Sequence, residues 1–388
     1  MIWSPQQEAA LSAAPAWLSA GDRPWFYLAG YAGTGKTTLA KHLAQGTLGE
    51  TLFAAFTGKA AHVMRKAGCL GATTIHSLIY RARSKSGLAL VQLEKELEAL
   101  DPDQVSERTR LERLVARERE NLKQPWFELN PESSLRHASL LVVDECSMVD
   151  DRIAADLLSF QVPVLVLGDP AQLPPVKGTG FFTSQTPDVC LTEVHRQARD
   201  NPIVAMATDV REGRDLAYGS YGESKVVPRE KVTPQAGVQI LVGKNETRRK
   251  ANARCREGRG TYPEAGDRLV CLRNDHQAGV LNGSTWDVLE AADPGDDDTL
   301  QVVIRGDEGD VLDAIAWAAP FRGEEVPWAI RRDAQEFDYG YALTVHKAQG
   351  SQWPDVFVLD ESHLFRSDAR RHLYTAVTRA MERVTVMR

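Results

Sequence analysis

A glycine-rich turn that contains one lysine and adjacent threonines could hold the phosphates of a nucleotide. It follows the apolar run Trp25 to Ala29 and reads Gly30-Tyr31-Ala32-Gly33-Thr34-Gly35-Lys36-Thr37-Thr38. Glycines let backbone N–H groups approach phosphates, a lysine can reach the β- and γ-phosphates, and a threonine hydroxyl at a helix N-terminus can ligate Mg²⁺. We therefore predict an ATP site that also uses Lys36 in catalysis and is formed by Gly33, Thr34, Gly35, Lys36, Thr37 and Thr38.

A pair of carboxylates follows a second apolar run. Leu140 to Val143 ends in Asp144-Glu145. In this position Asp144 would hold Mg²⁺ together with Thr37, and Glu145 would orient or deprotonate the attacking water. Because the loop, the flanking strands and the carboxylate pair occur in this order, a nucleoside triphosphatase is favoured over a chance glycine turn.

Three further side chains could complete the chemistry. Gln172 lies in a Gly-Asp-Pro loop after a predicted strand, where it could bond both the γ-phosphate and the attacking water, unless the loop merely ends the strand. Arg196 and Arg379 each lie beside a predicted helix in the second half of the chain. Two guanidinium groups that reach across a cleft would stabilise the charge that develops on the transferred phosphoryl group.

Composition limits the class of protein. A chain of 388 residues, 43% hydrophobic and 26% charged, predicts a globular protein with two or more domains. No apolar stretch approaches ~20 residues and the N-terminus has no signal-like pattern, so we expect a cytoplasmic protein without a membrane span. The net charge of -7 argues against bulk electrostatic coating of nucleic acid but allows a local basic channel. Five scattered cysteines without a Cys-x-x-Cys pair argue against a metal site and a disulfide framework.

Short β-type runs occur in two sets. The first set alternates with helical patterns, which indicates an α/β fold with a parallel sheet covered by helices on both faces: 25–29, 51–56, 140–143 and 162–167. The second set has no Gly-Lys-Ser/Thr of its own: Val238 to Val242, Tyr341 to Val345, Val356 to Leu359 and Val384 to Met387. We predict two α/β units that share one nucleotide in the cleft between them.

Two insertions interrupt these units. Residues 79–137 carry leucines at helical spacing and then a charged run, which predicts a projecting helical arm whose arginines form a solvated face rather than a DNA site. Trp126 and Phe127 after the arm are either exposed aromatics or, the favoured reading, part of a tethering strand. Residues 284–338 contain three short β runs separated by turns, which predicts a small β-barrel.

Taken in order, the motifs resemble those of superfamily 1 helicases of the branch that includes RecD, phage Dda and Pif1. Ser4-Pro5-Gln6-Gln7 is similar to the adenine-reading glutamine motif, with Gln7 the better candidate. Residues 30–38 are similar to motif I, 57–61 to motif Ia, 73–77 to the Thr-Ile-His motif and 144–149 to motif II. Residues 168–175 are similar to motif III, 191–197 to motif IV, 343–351 to motif V and 373–380 to motif VI. The resemblance spans nearly the whole chain.

This resemblance implies two RecA-like P-loop domains in tandem, with a helical insertion in the first and a small SH3-like β-barrel in the second. The implied division is domain 1A at 1–78 and 138–187, 1B at 79–137, 2A at 188–283 and 339–388, and 2B at 284–338. It also implies a monomer that uses ATP and Mg²⁺ to move 5'→3' on single-stranded DNA and at DNA junctions. In several relatives 1B is a short β-hairpin that splits the duplex. Because the arm here is longer and helical, the resemblance does not identify which residue would separate the strands.

Binding of a single strand without sequence preference requires N–H or cationic contacts to phosphates and apolar faces for bases. The candidates lie on loops at the ends of predicted strands and are Thr57, Lys59, Thr74, His76, Asn282, Thr344, His346 and Lys347. Judged singly, a histidine such as His76 or His346 is more often structural, but the motif context of both favours DNA contact. The alternatives to a helicase are a nucleic-acid-stimulated switch and a small-molecule kinase, in which the Thr344 to Ser351 motif would have no role.

Overall fold

The computed structural model describes residues 3–82, 87–101, 104–123, 127–175, 178–193, 201–229, 237–275, 278–306, 309–327, 330–331 and 333–388. These residues form two six-stranded sheets, a five-stranded sheet and a two-stranded ribbon. Among the described helices, none combines the length and the apolar character that a membrane span requires.

The first sheet is parallel throughout and has the strand order β3-β2-β6-β7-β1-β8. Its strands are β1 (Trp25–Gly30), β2 (Thr51–Ala55), β3 (Thr73–Thr74), β6 (Leu140–Asp144), β7 (Val164–Gly168) and β8 (Val189–Leu191). Helices cover both faces, so successive β1 residues enter different cores: Phe26 and Leu28 pack on one side, Tyr27 and Ala29 on the other. Burial on both faces explains why these strands are continuous apolar runs.

The helices of this domain are α1 (Pro5–Ala20), α2 (Lys36–Gln45), α3 (Gly58–Lys66), α4 (Ile75–Ile79) and α7 (Asp151–Leu158). Several begin at a side-chain cap, which satisfies backbone N–H groups that have no partner within the helix. The Thr57, Thr74 and Asp150 side chains accept from the backbone N–H of Ala60, Ser77 and Ile153. Threonines with a candidate DNA role therefore also fix where α3 and α4 begin.

The second sheet has the order β17-β11-β18-β19-β10-β9 and is parallel except for the β9–β10 pair. Its strands are β9 (Gly219–Tyr221), β10 (Ser224–Val227), β11 (Gln239–Val242), β17 (Ala342–Thr344), β18 (Trp353–Leu359) and β19 (Ala380–Met387). The accompanying helices are α8 (Pro202–Arg211), α9 (Asn245–Cys255) and α10 (Ala369–Val377). Two α/β domains are thus present, as the sequence predicts.

Between α4 and β6 the chain forms two helices above a short ribbon. The ribbon pairs β4 (Tyr80–Ala82) with β5 (Phe127–Leu129), and the helices are α5 (Gly87–Ala99) and α6 (Val105–Lys123). Leu111 and Val115 of α6 are buried, whereas Arg119 is mostly exposed and pairs with Glu94 at 2.7 Å. Phe127 lies on the ribbon and is half exposed, and Trp126 lies outside the described residues.

The third sheet is antiparallel, with the order β15-β14-β13-β12-β16. Its strands are β12 (Arg268–Cys271), β13 (Thr285–Ala291), β14 (Thr299–Gly306), β15 (Val311–Trp317) and β16 (Phe337–Tyr339). The sheet includes β12, which lies before the predicted insertion at 284–338. Residues 268–271 read as a buried apolar strand of either unit, and only the pairing of β12 with β13 and β16 decides between them.

Candidate nucleotide and DNA site

The glycine-rich loop joins the end of β1 to the start of α2. Gly33 and Gly35 have φ values of 79° and 77°, a left-handed backbone that glycine adopts without steric cost. The Lys36 ammonium lies at the mouth of the loop, where its Nζ donates to the carbonyl oxygens of Gly30 at 2.7 Å and Tyr31 at 3.1 Å. The loop therefore combines flexible turns, a lysine and the N-terminus of a helix in one place, as phosphate binding requires.

The residues predicted to hold Mg²⁺ are in contact. Thr37 Oγ1 donates to Asp144 Oδ2 at 2.8 Å, and Asp144 Oδ1 accepts from the Glu145 backbone N–H at 2.7 Å. A hydroxyl and a carboxylate supply the hard oxygen ligands that Mg²⁺ prefers. These two side chains therefore fit the ion, which when bound would neutralise charge on the β- and γ-phosphates.

Glu145 has an environment suited to a base. Its φ of 55° is unusual for a residue with a side chain, and such backbone strain is often found at functional sites. Burial raises the pKa of the Glu145 carboxyl, while the positive charges of Arg379 and Lys36 oppose this rise. A carboxylate with a raised pKa accepts a proton more readily than a solvated one.

The loop after β7 contributes two buried polar side chains. Gln172 is 8% exposed, and its Oε1 has no hydrogen-bond donor within the described part of the chain. A buried acceptor without a donor is costly, so this atom fits a site that a water or ligand N–H or O–H completes. Asp169 is 2% exposed; its two oxygens accept from the Ala171 backbone N–H at 2.9 Å and the Tyr374 hydroxyl at 2.6 Å.

Arg379 brings a buried positive charge from the second domain to these groups. Its guanidinium is 3% exposed and donates to three neutral acceptors, the Thr375 and Ser351 carbonyls and the Thr378 hydroxyl. Burial raises the pKa values of both Glu145 and Asp169, and the Arg379 charge opposes that rise in each, so it acts on the first domain's carboxylates. Arg196, the second predicted arginine, lies outside the described residues.

Four contacts across the cleft were not predicted from sequence. The Leu173 backbone lies between two second-domain side chains: its N–H donates to Thr375 Oγ1 at 3.0 Å and its carbonyl accepts from Gln349 Nε2 at 2.8 Å. The Ala32 N–H donates to the Tyr374 hydroxyl at 3.1 Å. Arg211 of α8 stacks on the Tyr31 ring at 3.7 Å. Tyr374, Thr375 and Gln349 all belong to segments similar to helicase motifs, but only the fold reveals their partners.

The glutamine predicted to read adenine is already engaged within the protein. Gln7 Oε1 accepts from the Ser4 N–H at 3.0 Å in a capping box, and its Nε2 donates to the Thr34 carbonyl at 3.1 Å. Gln6 is more exposed and bonds the Thr192 hydroxyl and the N–H groups of Thr192 and Glu193. Gln7 therefore holds the phosphate loop through the Thr34 carbonyl, while Gln6 joins α1 to the chain after β8.

The DNA candidates of the first domain lie at the start of α3 and α4. Lys59 Nζ lies 4.7 Å from the centre of the Trp353 ring, which belongs to the second domain. His76 lies between the Phe56 and Tyr80 rings, at 5.8 and 5.5 Å, and its burial lowers its pKa. A neutral imidazole among aromatic rings is suited to contact with a base or sugar rather than to an ion pair with phosphate.

The second-domain candidates are Asn282 and three residues of the segment 344–347, namely Thr344, His346 and Lys347. Asn282 is exposed, and its neighbour Leu281 approaches Gly58 so closely that a Cβ there would lie 3.0 Å from the Leu281 side chain. Thr344 Oγ1 accepts from the Lys347 N–H at 3.3 Å, and burial lowers the pKa of Lys347. The ring neighbours of His346 are second-domain residues, Phe365 at 5.7 Å and His372 at 6.3 Å.

Lys244 is a candidate that sequence reasoning missed. It is exposed and follows Gly243 at the end of β11, where α9 begins. Gly58-Lys59 likewise follows β2, but there Thr57 is the N-cap and Lys59 lies inside the first turn of α3. The signal was a Gly-Lys pair after an apolar strand in both halves of the chain.

A family profile described as an AAA domain matches residues 3–229, more than half of the chain. The chain belongs to this family. A profile described as a UvrD-like helicase C-terminal domain matches residues 339–387. These profiles and the curated relatives described below support the predicted RecD/Pif1-like branch of superfamily 1 helicases.

The chain is similar to curated helicases over parts of their length. It is 32% identical over 278 residues to the ATP-dependent RecD2 DNA helicase of Deinococcus radiodurans, which covers 63% of this chain and 35% of that protein. It is 30% identical over 200 residues to the ATP-dependent DNA helicase dda of Enterobacteria phage T4, covering 48% of this chain and 37% of that one. The chain thus spans little more than a third of the length of either relative in these matches.

Solved Pif1 structures share the fold. Bacteroides Pif1 bound to ssDNA superposes with a TM-score of 0.55 at 19% identity, covering 99% of this chain and 92% of that one. Pif1 helicase from Candida albicans gives 0.54 at 18% identity, with 100% and 94% covered. At such low identity the similarity concerns the fold, which has two RecA-like domains.

Proposed function

We propose that this protein is an ATP-dependent DNA helicase that translocates 5'→3' on single-stranded DNA. The observation that carries the proposal is the composition of the cleft. Lys36, Thr37 and Glu145 come from the first domain, whereas Arg379 comes from the second and acts on the same carboxylates. Hydrolysis would then require the two domains to be closed on each other, which couples the chemistry to domain movement.

Within this proposal each side chain has one task. Lys36 and the loop residues Gly33 to Thr38 bind the ATP phosphates, and Thr37 and Asp144 hold Mg²⁺. Glu145 takes a proton from the attacking water, with Gln172 Oε1 accepting a second hydrogen bond from it. Arg379, joined by Arg196, stabilises the charge on the departing phosphoryl group.

The DNA strand would lie across the carboxyl ends of both sheets. Contacts already join the two domains there, since Lys59 lies over Trp353 and a Cβ on Gly350 would come within 2.5 Å of Thr57 Oγ1. The first-domain grip would use Thr57, Lys59, Thr74 and His76, and the second Lys244, Asn282, Thr344, His346 and Lys347. A change in domain separation would then alter the spacing between the two grips, which advances the protein along the strand.

The division into 1A, 1B, 2A and 2B predicted from the resemblance belongs to the same proposal. The helices α5 and α6 on their ribbon would form 1B. The third sheet would form an SH3-like 2B, supported by a backbone bridge between Ala316 and Gln335 that joins its two edges. On this basis 2B begins at β12 rather than at residue 284. We also propose that the protein acts as a monomer at DNA junctions.

The test is strand displacement on duplexes that carry a 5' or a 3' single-stranded tail, with ATP hydrolysis measured in parallel. We expect DNA-stimulated hydrolysis and release of the strand from the 5'-tailed duplex only. The Lys36→Ala variant, which loses the phosphate contact, should do neither. Stimulation without strand release would instead establish the switch, and hydrolysis indifferent to DNA would exclude both.

A further inference from the structure

Two adjacent residues at the tip of the phosphate loop are held by side chains of the second domain. The Ala32 backbone N–H donates to the Tyr374 hydroxyl at 3.1 Å. The Tyr31 ring lies under the Arg211 guanidinium at 3.7 Å. Tyr374 is on α10 and Arg211 on α8, so two separate helices hold the same turn of the loop.

The Tyr374 hydroxyl uses both of its hydrogen-bonding capacities. It accepts from Ala32 and donates to Asp169 Oδ2 at 2.6 Å, and the Tyr374 and Asp169 side chains are both 2% exposed. A hydroxyl can do both at once, and a bond to a carboxylate is shorter and stronger than one between neutral groups. Removal of the hydroxyl would leave a half-buried N–H and a buried carboxylate oxygen without this partner, which is more costly than the bond itself.

These contacts do not use the groups assigned to ATP. The residues predicted to bind phosphate are Gly33 to Thr38, and they follow Tyr31 and Ala32 in the chain. Arg379, in contrast, lies five residues after Tyr374, just past the end of α10. Docking of Tyr374 on the loop therefore fixes the helix end that carries the arginine.

We propose that Tyr374 and Arg211 form a latch on the phosphate loop, and that Tyr374 is a positioning residue that sets Arg379 for hydrolysis. The latch rests on the proposed function only in that the chain must hydrolyse ATP. It makes the second domain recognise uncharged parts of the loop, the Ala32 N–H and the Tyr31 ring, in addition to the charges of the nucleotide.

The central experiment compares kcat and KM for ATP in the Tyr374→Phe variant. Phenylalanine keeps the ring and its packing and removes only the hydroxyl. Loss of a buried hydrogen bond to a charged group predicts a fall in kcat of about tenfold or more, with KM changed less than about twofold. Tyr221→Phe is the matched control, because the Tyr221 hydroxyl donates to Ala217 on the exposed side of the same domain.

A second cycle separates positioning from a structural role. If Tyr374 acts through Arg379, the Tyr374→Phe change should cost much less in an Arg379→Lys background than in the wild type. Equal losses in both backgrounds would overturn the positioning role. A raised KM with unchanged kcat would make Tyr374 a binding residue, and unchanged kinetics would remove the latch.

If Tyr374→Phe lowers the melting temperature, Arg211→Ala is the second variant that tests the latch. The lost stacking on the Tyr31 ring predicts a kcat that is about three- to tenfold lower. Arg214→Ala, a surface arginine paired with Asp209, is its control. Unchanged kcat in Arg211→Ala would overturn its part in the latch. Failure of DNA to stimulate hydrolysis would overturn the proposed helicase but not the latch, which is measured on basal turnover.

Discussion

The two α/β domains have the same architecture but different chemistry. From one edge to the other their sheets run β3-β2-β6-β7-β1-β8 and β17-β11-β18-β19-β10-β9, so β2 corresponds to β11, β6 to β18 and β1 to β10. The pairing agrees in detail, since Ala55 lies opposite Thr74 and Val242 opposite Thr344. The glycine-rich loop follows β1, and no Gly-Lys-Thr follows β10.

Three short sequence features recur at these equivalent strand ends, in the same order along the chain. A Gly-Lys pair, a Thr-x-His triplet and an Asp-Glu pair occur at Gly58-Lys59, Thr74-Ile75-His76 and Asp144-Glu145, and again at Gly243-Lys244, Thr344-Val345-His346 and Asp360-Glu361. The first two features contain five of the DNA candidates, Lys59, Thr74, His76, Thr344 and His346. Under the proposed DNA path, the two sheets would offer two similar half-sites for one strand of nucleic acid.

The two Asp-Glu pairs contact different groups. Asp144 contacts Thr37 of the phosphate loop, and Glu145 lies near Lys36 and Arg379. Glu361 accepts instead from the Gly243 and Lys244 N–H groups and the Thr247 hydroxyl, at 2.7 to 3.1 Å. The same residues at the same strand end become catalytic candidates only where a phosphate loop lies beside them.

The largest effect should come from Arg379, a buried charge that the second domain brings to the cleft. Arg379→Ala should lower kcat by about 10³- to 10⁵-fold, as for other arginines that act on the transferred phosphoryl group. Nucleotide affinity, measured by calorimetry with a non-hydrolysable analogue, should change only a few-fold. A rate within tenfold of the wild type would show that the cleft works with first-domain groups alone.

Equivalent substitutions in the two carboxylate pairs sharpen the comparison. Glu145→Gln should reduce turnover by about 10²- to 10⁴-fold and leave ATP binding intact, because only the base is lost. Glu361→Gln should leave kcat nearly unchanged but lower the melting temperature, since an amide cannot accept all three bonds and a buried group loses about 1–3 kcal/mol. Loss of turnover in the second variant would contradict the structural role.

His372 in the second domain should contribute strongly to the pH dependence of stability. Burial and the nearby His346 lower the pKa of His372 to about 4, and its ring nitrogens have no hydrogen-bond partner among the described residues. Because the unfolded value is about 6.5, only the unfolded chain gains this proton as pH falls, so stability is lost between about pH 6.5 and 4, by up to ~3 kcal/mol. His372→Leu should reduce the fall in melting temperature between pH 7.5 and 5. An identical fall would locate the acid sensitivity elsewhere.

The smallest effects concern the two Gly-Lys pairs. Lys59→Ala and Lys244→Ala should each weaken single-strand binding a few-fold and reduce the slope of log K against log salt by about 0.7. Fluorescence anisotropy with a labelled oligonucleotide at several salt concentrations measures both. Lys225, exposed on β10 and away from both pairs, is the control. If only Lys59→Ala changes the slope, the half-sites are not equivalent.

Much of this organisation could be predicted from local sequence. The runs before Gly30, Asp144 and Gly168 are apolar because helices cover both faces of the sheet, and the strand ends then place Lys36, Thr37 and Asp144 together. The α/β fold with two RecA-like domains and the family are confirmed, whereas the helical and SH3-like insertions and the role of each site residue stay predictions. Local pattern was sufficient here because parallel strands bring their carboxyl ends to one edge.

Contacts between distant segments could not be predicted in the same way. The bond from Ala32 to Tyr374 joins residues 342 positions apart, and nothing near either residue indicates it. The glutamine motif pointed to Gln7, but the sequence did not predict its capping bond with Ser4 or its hydrogen bond to the Thr34 carbonyl. Assignment of β12 to the third sheet likewise depends on strand pairing, which the apolar run 268–271 does not encode by itself.

The two-residue connection between β16 and β17 has a mechanical consequence. It consists of Gly340 and Tyr341, and any Cβ on Gly340 would lie 2.7 Å from the backbone of Leu269 in β12. Nearby, Arg256, the residue after α9, bonds Asp267 just before β12, with both side chains buried. The third sheet is therefore joined to the second sheet by a short connection and a buried ion pair. Under the proposed mechanism it would move as one body with the second domain, and any nucleic acid in contact with it would be displaced by the same movement.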